Sequence, residues 1–239
     1  MVIQGLEKCI HDAGEETLSH CLRVEKLTEI FCNHCNDEFI KQNKEAIIAG
    51  ARYHDMGKSL IDKTVLYKKE KLTDIEFDEI KKHTTLCSDI SKRVFGKNPS
   101  KQEKLIIKIA LQHHQRDNER GYPPHKNLHM PLYIQIVSLA DVIDAMTSNR
   151  CYKDKSGEGH RRTRSLQETI NTIFTESEFR SDVKEILATS MKELLEEKWR
   201  LETVPQLKRV SLIASINNIQ ENENLNKQTV KEDNGIEDR

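Results

Sequence analysis

The chain has 239 residues, 36% hydrophobic, 32% charged and only 5% aromatic, which is length for one ordinary domain plus an appendage and material for a core of thin amphipathic helices. Nine glycines and five prolines are too few for a sandwich or barrel with many tight turns. A formal net charge of -1 gives no global field to select a nucleic-acid polymer or an anionic membrane, no apolar run approaches the roughly 20 residues of a membrane-spanning helix, and MVIQGLEKCIHDAGEE lacks the layout of a secretion signal, so the expectation is a cytoplasmic protein with its cysteines mostly reduced.

Residues 14 to 35 read as a helix, because Leu18, Cys21, Leu22, Val24, Leu27, Ile30 and Phe31 recur at three- and four-residue steps. Glu16 and His20 lie four apart on it and share a face. Cys32 and Cys35 have the spacing of half a zinc site, but no second cysteine pair follows at useful spacing, so they read as the end of the helix. Residues 43 to 56 form a second, nearly all-apolar helix that delivers His54-Asp55 just before Gly57. Thr73 and Glu76 make a capping box that opens a helix through Phe77, Ile80, His83, Leu86, Ile90 and Val94, with Gly96 and Pro99 as the stop. Residues 101 to 114 form another helix, ending on His113-His114. The polar stretch 115–128, containing Gly121-Tyr122-Pro123-Pro124, is a loop. Pro131 then opens the most apolar helix, with Ile136, Leu139, Ala140, Ile143 and Ala145 on one face and Asp141 and Asp144 three apart on one side. A hydrophilic loop at 153–164, including the basic run HRRTR, precedes two weaker helices near 165–176 and 180–198, where Leu194, Leu195 and Trp199 read as core. Beyond Pro205 only VSLIASI is apolar, and the remainder is too polar to bury. The reading is all-α, about seven helices over 1–205, with a polar, disordered tail at 206–239.

Glu16, His20, His54, Asp55, His83, His113, His114 and Asp141 come from several of these helices, and one metal centre would gather them. Imidazole and carboxylate without thiolate suit iron, manganese or zinc that keeps open positions for water and a phosphate. A carboxylate beside a histidine at a helix end can bridge two ions while the imidazole binds one. Two ions about 3.5–4 Å apart can stabilise both the attacking and the leaving oxygen of a phosphoryl substitution. Acids inside the apolar 132–146 segment are costly unless paired or metal-bound. A hydrolase of phosphate esters follows from this ligand set.

His54-Asp55-Met56-Gly57-Lys58, then His83, then HHQRDNERGYP at 113–123, then ADVIDAMTSNRCYK at 140–153 resemble the HD-GYP family of bacterial cyclic-dinucleotide phosphodiesterases, over roughly residues 14 to 200. The resemblance implies an HD-type helical bundle that binds two or three iron or manganese ions. It implies hydrolysis of cyclic di-GMP to linear pGpG and, in some members, on to GMP, by attack of a metal-bridging hydroxide on phosphorus. Carried over residue by residue, His54 and Asp55 are the namesake pair, with Asp55 bridging. His20, His83, His113, His114 and Asp141 complete the ligand set, and Glu16 falls where members with a third metal keep a glutamate. Lys58 matches a lysine that contacts the scissile phosphate. Arg150 and Lys153 match residues that hold the dinucleotide's phosphates, with Tyr122 beside the substrate. Asp144 is placed to orient a ligand histidine.

The family pattern usually reads HHERWDGSGYP. Here Gln115 replaces a glutamate, Asp117 an aromatic and Asn118-Glu119 an Asp-Gly turn. Loss of the glycine reshapes the loop, since Glu tolerates positive φ poorly, and the added acids oppose a dianionic substrate if they point inward. Two other readings compete: an HD-type phosphohydrolase of other nucleotides, and a cyclic-dinucleotide-binding or protein-docking module without turnover. Regulation is expected from a separate protein, such as a regulator or a diguanylate cyclase.

Overall fold

The computed structural model describes residues 2–117, 121–126, 129–148, 163–176 and 179–196. Arg150, Lys153, Trp199, most of the 153–164 loop and the 206–239 tail lie outside the described residues, as do Asn118 and Glu119. Among the described residues the fold is all-α. The helices are α1 (Val2–Asp12), α2 (Glu15–Asn33), α3 (Glu38–Gln42), α4 (Lys44–Tyr53), a 3-10 helix (Met56–Leu60), α5 (Lys63–Leu66), α6 (Asp74–Lys81), α7 (His83–Phe95), α8 (Lys101–Gln112), α9 (Leu132–Thr147), α10 (Leu166–Glu176) and α11 (Ser181–Leu195). No helix among them is long and apolar enough to cross a membrane.

This is more helices than the seven read from periodicity, and the differences have local causes. The single helix expected through 73–94 is broken at Lys82, between α6 and α7. The Ile80 carbonyl, which a continuous helix would give to Thr84, accepts from Nδ1–H of His83 at 2.7 Å. Thr84 instead turns its hydroxyl onto the Lys81 carbonyl at 3.0 Å. The amino-terminal helix α1 was not anticipated, although Leu6, Cys9, Ile10 and Ala13 have helical spacing; Leu6, Ile10 and Ala13 are buried. Helices α3 and α5 are single turns capped by Asp37 and Asp62, too short to leave a periodic signal.

Helix α2 runs through the middle of the bundle. It packs against α1, α4, α9 and α11, while α8 lies across α4 and α7. Val24, Leu27 and Phe31 of α2, Ile47 and Ala51 of α4, Ile109 of α8 and Ile134, Ile136, Val137 and Ile143 of α9 form one core. Full burial of each large aliphatic stabilises the fold by about 1.5–3 kcal/mol. Cys32 and Cys35 belong to this core and are reduced. The 3-10 helix meets the start of α7 at Gly57, where any Cβ would fall 1.9 Å from the His83 carbonyl oxygen. That close approach brings the Asp55–Lys58 segment against His83.

Candidate metal centre

The histidines arrive at helix ends, where the chain can present a ring inward while its backbone carbonyls remain occupied. His54 follows α4 and its Nδ1–H donates to the Ala51 carbonyl at 2.7 Å. His83 opens α7 on the Ile80 carbonyl, and His113 follows α8 with Nδ1 3.0 Å from the Ala110 carbonyl. A carbonyl can only accept, so in each ring Nδ1 carries a proton and Nε2 is the nitrogen left to point into the bundle. His20, on α2, places Nδ1 2.7 Å from Asp144 Oδ2, so its Nε2 also faces inward.

These ring nitrogens meet in two groups. Nε2 of His20 is 3.2 Å from Nε2 of His54, and Nε2 of His83 is 3.4 Å from Nε2 of His113. Asp55 sits between the pairs. Its Oδ1 lies 3.2 Å from His83 Nε2 and 3.9 Å from His113 Nε2; its Oδ2 lies 3.4 Å from His54 Nε2 and 3.6 Å from His20 Nε2. Asp141 spans a second line, with Oδ1 3.2 Å from His20 Nε2 and Oδ2 3.7 Å from His114 Nδ1. His20, His54 and Asp55 form one group of donors and His83, His113 and His114 another, the atoms of each within 4.8 Å of one another.

The electrostatics of the centre call for positive charge. Burial alone would push the Asp55 carboxyl up, but the Lys58 ammonium and the His54 ring hold it well below the usual carboxylate range. Burial likewise opposes ionisation of Asp141, and the rings of His20 and His114 reverse that. Burial presses His54 toward neutrality, while the Asp55 carboxylate and Cys21 raise it well above the ordinary imidazole value. The rings of His83, His113 and His114 are neutral: burial lowers His83 to about 4, and burial followed by neighbouring histidines takes His113 and His114 well below their usual value. Neutral imidazole is the ligand form. Asp55 Oδ1 is buried with no hydrogen bond, and its partner Oδ2 takes the Lys58 ammonium at 2.5 Å. Facing ring nitrogens, buried acids and an orphaned carboxylate oxygen fit divalent cations, which would replace ring protons, and a nitrogen and oxygen donor set suits iron, manganese or zinc.

Lys58 contacts Asp55, and the Tyr122 ring lies 4.5 Å from that of His114 at 34°. Glu16 is half-buried on α2, one turn before His20, and is in neither donor group. Asp117 does not face the donors: its Oδ1 accepts the Met130 N–H at 2.5 Å and its Oδ2 lies 3.7 Å from Arg180. Sequence reasoning missed the residues behind the ligands. Arg23 clasps Asp144 through Nε at 2.5 Å and Nη2 at 3.1 Å, and Ser148 donates to the same carboxylate at 2.9 Å. Burial would raise Asp144, but His20 and then Arg23 hold it far below the usual carboxylate range. Behind His113, the hydroxyl of Ser138 donates to that residue's own carbonyl, and Arg116 reaches the same oxygen at 3.0 Å. An available signal was Arg23 itself, a charge set in the apolar run Leu22-Arg23-Val24 three residues after His20.

The HD domain family model matches residues 17–146, which contain every one of these donors; Glu16 lies just outside. A cyclic di-GMP phosphodiesterase of Thermotoga maritima is 40% identical over 105 residues, 44% of this chain and 27% of that protein. A cyclic di-GMP phosphodiesterase of Vibrio cholerae is 37% identical over 163 residues, 64% of this chain and 33% of that protein. A 3'3'-cGAMP-specific phosphodiesterase of Vibrio cholerae is 28% identical over 178 residues, 72% of this chain and 37% of that protein. The chain thus spans little more than a third, at most, of these curated relatives. With its HD pair, its later histidines and its Gly121-Tyr122-Pro123 run, the chain belongs to the HD domain family and, within it, to the HD-GYP proteins.

Proposed function

We propose that this chain is a metal-dependent cyclic-dinucleotide phosphodiesterase that hydrolyses cyclic di-GMP to linear pGpG. The observation that carries the reading is Asp55, with one carboxylate oxygen turned to each histidine pair. The names of the relatives supply the substrate class. His20, His54, Asp55 and Asp141 would hold one ion and His83, His113, His114 and Asp55 another, with Glu16 available to a third. Bound ions, iron or manganese, supply Lewis acidity toward a phosphodiester and an acidified water as nucleophile.

The protein's own part is positioning and charge. Asp144 fixes the His20 tautomer, as the three backbone carbonyls do for His54, His83 and His113. Lys58, held on Asp55, is the mobile positive charge that turns to a non-bridging phosphate oxygen as negative charge builds there. Arg150 and Lys153 grip the phosphates of the dinucleotide, and Tyr122 lies beside it. The functional domain spans 1–205, with 206–239 as a polar tail. The setting is the cytoplasm, and the substrate is supplied by a separate diguanylate cyclase.

The test is an anaerobic incubation of the iron- or manganese-loaded chain with cyclic di-GMP and with 3'3'-cGAMP, resolving products and counting bound metal. Linear pGpG or GMP, lost in Asp55→Ala, is the expected result. Binding without cleavage would identify a docking module instead, and hydrolysis confined to other nucleotides would overturn the substrate.

A further inference from the structure

Gln115 follows the two histidines at the end of α8 and is buried, 4% exposed. Its backbone forms an isolated antiparallel bridge with Gly121. The next residue of the loop, Tyr122, donates its N–H to the His114 carbonyl at 3.2 Å. The Gln115 side chain then closes the far side, with Nε2–H donating to the Pro123 carbonyl at 2.9 Å. A carbonyl only accepts, so the amide orientation is fixed by its partner. Gly121 is required at the crossing: its φ is +89°, and a Cβ would lie 2.0 Å from the His114 carbonyl oxygen.

Tyr122 is therefore laced through the residue before it, through its own N–H and through the residue after it. Its ring is left facing His114 at 4.5 Å and edge-on to His83 at 6.1 Å and 84°. A further anchor among the described residues is Asp117, tied to Met130. Two positions where this chain departs from the usual family pattern, Gln115 and Asp117, are thus both engaged in holding the loop. Only the donor half of the Gln115 amide is used, since its Oε1 is buried without a hydrogen bond. An ionised carboxylate at the same place has no proton to give Pro123.

We propose that Gln115 is a positioning residue for substrate recognition: its side-chain amide, by donating to Pro123, fixes the Tyr122 ring against His114 and so sets affinity for the dinucleotide. The proposal rests on the reading of the centre as a cyclic-dinucleotide site. Gln115 touches none of the donor atoms and acts through Tyr122 alone.

Gln115→Met keeps the length and volume of the side chain and removes the donor; Gln115→Glu removes the donor and keeps an acceptor. Histidine-selective NMR of the zinc-loaded full chain reads the ring geometry directly. The signal displaced by Tyr122→Ala identifies the histidine under the tyrosine, and both Gln115 variants are expected to displace that signal too. With manganese and cyclic di-GMP, each is expected to raise KM roughly tenfold while kcat stays within about threefold. In a Tyr122→Ala background the same substitutions should alter KM by less than about twofold, because contacts acting through one group are not additive. A histidine signal unmoved in both variants, or losses that add in the double variants, overturns the proposal. If the wild-type chain leaves cyclic di-GMP intact, the proposed function fails, and the NMR comparison still decides the role of Gln115.

Discussion

Asp55 holds the two halves of the centre together with two oxygen atoms, one toward His83 and His113 and the other toward His20, His54 and Lys58. Truncating it removes the one donor shared by both halves, so Asp55→Ala should abolish turnover and lower the bound metal measured by elemental analysis; retained activity with full metal content would reject the bridging role. Asp144 makes a subtler prediction. It touches His20, Arg23 and Ser148 and lies one turn beyond Asp141. Asp144→Asn cannot satisfy His20 Nδ1–H and the Arg23 fork together, so His20 loses its fixed orientation. Partners of this kind are worth about 10–100-fold in metal affinity. A metal titration of Asp144→Asn should show a loss of that order with the helical circular dichroism retained, whereas unchanged affinity would make Asp144 a packing residue only.

At the scale of elements, the ends of the helices matter more than their middles. His54 and His113 follow the last turns of α4 and α8, His83 begins α7, and each ring uses the carbonyls that a helix end leaves open. The start of α6 is set by Thr73 and Glu76, whose side chains and backbone N–H groups exchange hydrogen bonds, and Lys68 pairs with Glu76 at 2.6 Å. The Lys68 ammonium and the Thr73 N–H lower the Glu76 carboxyl from 4.5 to about 2. A carboxyl lowered in the fold stabilises it above its unfolded pKa of 4.5 and loses that contribution as pH falls toward about 2. Amide exchange over 74–81, corrected for intrinsic rates, should therefore show stronger protection than in Glu76→Gln at pH 7, with the gap shrinking below about pH 4.5; a gap constant down to pH 3 would contradict the ion pair. This cap was legible in the sequence because all of its atoms lie within four residues, as was the shared face of Glu16 and His20. The break at Lys82 was not legible, because apolar periodicity runs straight through it and the cause is the His83 ring on the Ile80 carbonyl. The partnership of His20 with Asp144 crosses 124 residues, and only the packing of α2 against α9 reveals it. Gln115 and Asp117 read as substitutions in a loop; their partners Pro123 and Met130 give them a purpose that spacing does not carry.

Across the described domain, the donors tie α2, the end of α4, α7, the end of α8 and α9 to one point, so four of the helices that build the core, α2, α4, α8 and α9, also carry the centre. Helix α1 lies before the matched family region, yet it is bound to the same framework. Arg52 reaches Glu7 of α1 at 2.8 Å and Glu25 of α2 at 2.7 Å, and the Tyr53 hydroxyl donates to Glu7 at 2.8 Å. Residues 52 to 55 thus run from the clamp that holds α1 directly into the His54–Asp55 pair. Such a layout makes occupancy of the centre a property of the whole fold. An unfolded chain scatters ligands that lie more than a hundred residues apart, so cations bind the native state almost alone. Saturation at a thousand times Kd then stabilises the fold by about 4 kcal/mol, and at roughly 2–4 °C per kcal/mol for a domain of this size a chelator should lower the melting temperature by about 8–16 °C. The same treatment should hardly move the melting temperature of Asp55→Ala, which has lost the shared donor, and should move that of Lys58→Ala as much as the wild type, since Lys58 adds charge and no ligand atom. Thermal melts of the three proteins with and without chelator are the measurement. Identical wild-type curves in the two conditions would mean that the converging imidazoles and acids hold no ion of consequence.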